Sequence, residues 1–96
     1  MSIFAVRYSY DERAEVRDTF RPEHRAWLAG QVEAGVLLGS GPFAGGEPGA
    51  LLVLRAADED GVRALLAQDP FAREGLVART EVRAWDLVLG PWSTTV

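Results

Sequence analysis

The chain has 96 residues, enough for one domain, and its ten basic residues are outnumbered by fourteen Asp and Glu, giving a formal charge of −4. All ten bases are Arg, so a Walker phosphate loop and Schiff-base chemistry are excluded, and the acidic balance argues against binding a phosphate backbone. With no Cys there is no disulfide framework, thiolate nucleophile or thiolate-bound metal, which leaves His24 as the one side chain of a type that titrates near neutrality. A zinc site built on that single imidazole would need carboxylates or a second chain, so no metal is expected.

Met1–Tyr8 has neither a basic leader nor a cleavage site, and no stretch approaches the ~18 apolar residues of a membrane span. The expectation is a soluble, cytoplasmic, single-domain protein over residues 1–96, with no membrane or nucleic-acid partner.

Residues 2–9 alternate Phe4, Val6 and Tyr8 against Ile3, Ala5 and Arg7, which predicts a first strand. Asp11 to Phe20 is charged and ambiguous between a loop and a helical lead-in. Pro22 suits a first helical turn, Trp27, Leu28, Gln31 and Val32 follow at helical spacing, and Gly35 is a natural stop, so a helix is expected from about 21 to 34. Residues 36–43 start as a short strand that runs into the turn-rich 45–49. The continuous apolar run 50–55 then completes a hairpin. Asp58 is a good N-cap for a second helix with the stripe Val62, Leu65 and Leu66, ended by Asp69-Pro70. Residues 71–78 look irregular, 80–89 is a final strand, and the tail from Gly90 is expected to be loose or to lie on a neighbouring chain.

The order β-α-β-β-α-β in one small domain is the α+β, ferredoxin-like arrangement: an antiparallel sheet with both helices on one face. Strands one and three are apolar on both sides, so the opposite face needs a cover, and a homodimer burying sheet against sheet is inferred.

His24 lies three and four residues before Trp27 and Leu28, on the stripe that faces the sheet. Asp69 lies three and four residues after Leu66 and Leu65, extending the buried stripe of the second helix at its last turn. The two form a His–Asp dyad if the helix ends adjoin, with the carboxylate fixing the imidazole tautomer. The bland alternatives are a satisfied core histidine and an aspartate that only caps the amides of residues 71 and 72. Gly39-Ser40-Gly41-Pro42 fits neither a phosphate loop nor a nucleophile elbow. The glycines and Pro42 serve to bend the strand end, and Ser40 is left as a donor at the mouth of a pocket. Arg21 and Arg25 flank His24 and either steer an acidic substrate or belong to a solvated helix face, with Glu23 between them. Phe71, Trp27 and Trp85 are core or pocket walls.

Arg21-Pro22-Glu23-His24-Arg25-x-x-Leu28, then Gly35-x-Leu37-Leu38-x-x-Gly41-Pro42, then Asp69-Pro70-Phe71 with Gly75-Leu76, and a last strand ending near Trp85, together resemble the YCII-related (YciI-like) family over residues 2–89. The resemblance implies a dimeric α+β barrel with a pocket between helices and sheet, lined by a histidine and an aspartate that correspond to His24 and Asp69. Fold relatives include muconolactone isomerases and a dehydrochlorinase acting on a chlorinated hydroxyquinol. The activity so implied is that of a lyase or isomerase without cofactor, using His24 and Asp69 on a small-molecule ligand. Beside that pair, the residues themselves suggest Ser40, Gly41, Arg25 and Phe71 as the substrate contacts. The alternatives are a ligand-binding accessory module and a purely structural dimerisation domain. The segment 45–49 and the Trp92 tail have no counterpart in the resemblance.

Overall fold

In the computed structural model, residues 1–95 are described. The elements run β1 (Ser2–Tyr10), α1 (Ala14–Glu33), β2 (Leu37–Pro42), β3 (Gly49–Ala56), α2 (Glu59–Leu66), α3 (Pro70–Arg73) and β4 (Val77–Ala84), with a closing 3-10 turn at Pro91–Thr95. The four strands form one antiparallel sheet in the order β2-β3-β1-β4. This is the ferredoxin-like arrangement expected from the sequence, with β3 and β1 as the inner strands, each paired along both edges.

Pairing register assigns the faces. Phe4, Val6 and Tyr8 stand opposite Leu54, Leu52 and Ala50 on one side and Ala84, Val82 and Thr80 on the other. Of these, Phe4, Val6, Tyr8, Ala50, Leu52, Leu54 and Val82 pack with Val62 and Leu66 of α2, and with Trp27 and Leu28 of α1, as the core. Side chains two apart share a face, so Ala5, Leu51, Val53, Arg83 and Trp85 belong to the opposite side. There Leu51 and Trp85 are each 42% exposed.

Several boundaries differ from the sequence expectation. The first helix begins at Ala14 rather than 21, and Pro22 lies inside it. Asp11 explains the early start: its carboxylate accepts the Arg13 N–H at 2.9 Å, a local turn that launches the chain. Arg17, only 6% exposed, then donates to the Asp11 carbonyl and lies over the Tyr10 ring, its guanidinium carbon 4.9 Å from the centroid. A charged segment is thus held against the fold by an arginine buried across an aromatic ring. Gly35 does stop the helix, at φ 75°.

The second helix closes at Leu66, so Asp69 does not extend its buried stripe. It is instead the N-cap of α3, with Pro70 at the first turn. Residues 71–78 are therefore not irregular: they hold that turn of helix and the start of β4, which ends at Ala84 rather than at 89. The tail is not loose over Pro91–Thr95. Trp92 approaches Gly39 so closely that a Cβ built there would lie 2.8 Å from the indole ring. The end of the expected tail, Val96, lies outside the described residues.

Two glycines should respond oppositely to alanine. A Cβ at Gly49 would sit 2.4 Å from the Tyr8 backbone oxygen in the β1–β3 ladder, whereas the Cβ at Gly39 meets only the far edge of Trp92. Gly49→Ala is expected to lower stability by about 1–3 kcal/mol in denaturant titration. Gly39→Ala should leave stability nearly unchanged and shift tryptophan emission as Trp92 is released.

Candidate active site

Asp69 is buried with no solvent exposure, between α1, α3 and β1. Its Oδ1 lies 2.7 Å from His24 Nδ1 and accepts the Phe71 backbone N–H at 3.0 Å, while Oδ2 accepts the Tyr8 hydroxyl at 2.8 Å. The two roles weighed for Asp69, dyad member and cap, are thus held by one carboxylate. A buried carboxylate is strongly disfavoured unless donors surround it, and here they come from three directions. Because the Tyr8 and Phe71 groups are donors, the hydrogen-bond network assigns the third contact as a donor too, with the His24 proton on Nδ1.

That assignment leaves Nε2 as the acceptor nitrogen, and no group among the described residues is bonded to it. Phe71 stacks on the imidazole at 3.8 Å between centroids and 2° between planes, covering one ring face. The His24 side chain keeps 10% exposure. Its opening is a cavity of about 390 Å³ lined by, among others, Tyr10, Arg25, Leu28, Ser40, Gly41 and Phe71.

All six site residues expected from the sequence therefore meet in one place: His24, Asp69 and Phe71 in direct contact, with Ser40, Gly41 and Arg25 on the cavity wall. Ser40 pairs with Leu52 and so points to the helix-covered side, and its hydroxyl has no partner among the described residues. Glu23 does not cancel Arg25, because it turns to Arg73 at 2.6 Å and ties α1 to α3.

Tyr8 joins the site although it was not among the residues expected there. Its signal was present, since alternation places it on the same apolar face as Phe4 and Val6, where a buried phenol needs a partner. Burial, and then the Asp69 carboxylate, push the Tyr8 phenol far above its ordinary value, so it stays a donor. Burial and Asp69 also push Tyr10 up to about 12, against the opposing pull of Arg17 and Arg21.

A second hollow, about 940 Å³, lies on the other side of the sheet among Leu51, Val53, Phe43, Trp85 and Trp92. It contains neither member of the dyad.

Residues 1–86 match the YCII-related domain. The chain belongs to the YCII-related family. No curated protein matches it by sequence. Among solved structures, this YCII-related chain is similar to the 5-chloro-2-hydroxyhydroquinone dehydrochlorinase of Burkholderia phenoliruptrix AC1100, in complex with 2,5-dihydroxybenzoquinone. That similarity has TM-score 0.77 and 25% identity over 88% of this chain and 93% of that one. An antibiotic biosynthesis monooxygenase (TM-score 0.57, 14% identity, 93% and 100% covered) and a cofactor-independent oxygenase from Streptomyces nogalater (0.51, 17%, 93% and 94%) share the fold. The fold is one that small-molecule enzymes use. Among the described residues no helix is long and apolar enough to cross a membrane.

The tyrosines give an alkaline signature. A phenol whose pKa is raised on folding stays protonated in the native state while the unfolded chain ionises above its ordinary value of 10.0, so stability falls as pH rises past 10. Absorbance at 295 nm should show neither native tyrosine ionised at pH ~10.5. Tyr8→Phe should make the alkaline loss shallower. It should also remove about 1–3 kcal/mol at neutral pH, because Oδ2 of Asp69 is left buried without a donor.

Proposed function

We propose that this YCII-related protein is a cofactor-independent enzyme of lyase or isomerase type, in which His24 removes a proton from a small cyclic or aromatic substrate. The observation that carries this reading is the 2.7 Å contact between His24 Nδ1 and Asp69, which leaves Nε2 as the acceptor nitrogen on a side chain that lines a cavity. Asp69 orients the ring and balances the imidazolium once it forms. Nε2 takes the proton, and the electron pair left on carbon delocalises onto a ring oxygen. Ser40 and the backbone amides near Gly41, on the edge strand β2, are the donors for that oxygen. The likeness to a dehydrochlorinase at 25% identity supports the same class of substrate.

Lactones and hydroxyquinols are the compounds to screen. With a turned-over substrate in hand, His24→Ala and Asp69→Asn are each expected to lower kcat by ~10²-fold or more. Unchanged turnover in both variants would remove the dyad from the mechanism and favour a binding module.

We infer also that the sheet face opposite the helices pairs with a second copy. Leu51, Trp85 and Phe43 are 42–43% exposed there, around the buried Val53, and Trp92 covers only part of it. Light scattering after size exclusion should give twice the chain mass for the wild type and the single mass for Leu51→Glu. A wild-type monomer at micromolar concentration overturns the inference.

A further inference from the structure

The charge around the His24 cavity has the opposite sign to the molecule. The chain carries fourteen acidic and ten basic residues, yet the ionisable side chains that line this cavity are Tyr10, Arg21, His24 and Arg25, with no carboxylate. The neighbouring acids are engaged elsewhere: Asp18 holds Arg21, Asp11 holds Arg13 and Arg17, and Glu23 holds Arg73. Asp69 sits behind the imidazole, sealed from the cavity and bonded to Tyr8, His24 and the Phe71 amide. Arg25 differs from Arg21 and Arg17. It has no hydrogen-bond or ion-pair partner among the described residues, so its guanidinium stands at the cavity as an uncompensated cation.

A guanidinium beside a concave, partly apolar wall favours a planar oxyanion, which it can bind with two N–H groups. The sheet adds the Ser40 hydroxyl, and Leu37 and Leu52 with Leu28 of α1 add apolar surface suited to a ring. A volume of about 390 Å³ suits a ligand of one ring with small substituents. The same cation would stabilise the anion that proton transfer to His24 creates.

We propose that this cavity selects a ring-sized organic anion, with a carboxylate, phenolate or enolate oxygen at Arg25. The proposal rests on the reading of the cavity as the ligand site and adds the charge of what enters it.

The probes are benzoate, its neutral isostere benzamide, and 4-nitrophenolate, each titrated into the full chain at millimolar concentration and followed by nitrogen–proton NMR. With one histidine in the sequence, the imidazole signals need no assignment. Benzoate is expected to shift the His24 ring and the Ser40 and Gly41 amides, and to bind about fivefold more tightly than benzamide, a ratio that shrinks as salt is raised. 4-Nitrophenolate distinguishes the two anion sources: binding tighter than benzoate assigns a phenolate, equal or weaker binding a carboxylate.

Arg25 is exposed and unpartnered among the described residues, so Arg25→Gln and Arg25→Glu should fold with an unchanged Tm. Gln should bring the benzoate-to-benzamide ratio near one, and Glu below it. Benzamide binding as tightly as benzoate, or a ratio unmoved in both variants, overturns the anion preference while leaving the cavity and His24 in place. No response to any probe overturns the cavity as a ligand site as well.

Discussion

The buried carboxylate of Asp69 is the constraint on which the rest of this structure hangs. A charge with no solvent contact must be met by donors, and removal of one donor leaves an acceptor that water cannot reach. Tyr8 brings the end of β1 to it, His24 brings the middle of α1, and the Phe71 amide brings the first turn of α3. Three elements distant in sequence are therefore fixed against one another by one side chain. The Glu23–Arg73 pair reinforces the α1–α3 contact at the surface, where an exposed ion pair adds little by itself.

The same network gives the site its polarity. Tyr8 and the Phe71 amide use up lone pairs of the carboxylate, so the remaining contact orients the imidazole with Nδ1 inward and Nε2 toward the cavity. Phe71 then stacks on one ring face. The imidazole is held by neighbours whose own positions are fixed by packing, the rigidity that the proposed proton transfer calls for.

β2 couples the two sides of the sheet. Ser40, Gly41 and Pro42 line both the His24 cavity and the larger apolar hollow opposite it. Gly39, on the same strand, accepts the Trp92 ring against its backbone. One strand of six residues thus supplies a wall to each hollow.

The order of the four strands and two main helices and the faces of the strands were legible in the sequence, because alternation and helical spacing are local properties of the chain; that His24 and Asp69 touch was not, because it depends on which helix ends adjoin. Composition singled out His24, since no lysine or cysteine competes with it. The features that stayed hidden depended on distance in space. Pro22 looked like a helix start because the forces that carry α1 back to Ala14, the Asp11 turn and Arg17 lying over Tyr10, are tertiary. Asp69 looked like the end of one helix and is the cap of another, a difference of a few backbone angles that spacing does not encode. Tyr8 showed its apolar face but not its partner, which lies 61 residues away along the chain. The sequence by itself determined which groups are available for chemistry. Only the folded chain decided that Tyr8, Asp69 and His24 form one line of hydrogen bonds, because a buried carboxylate gathers whatever donors the packing of sheet and helices places within reach.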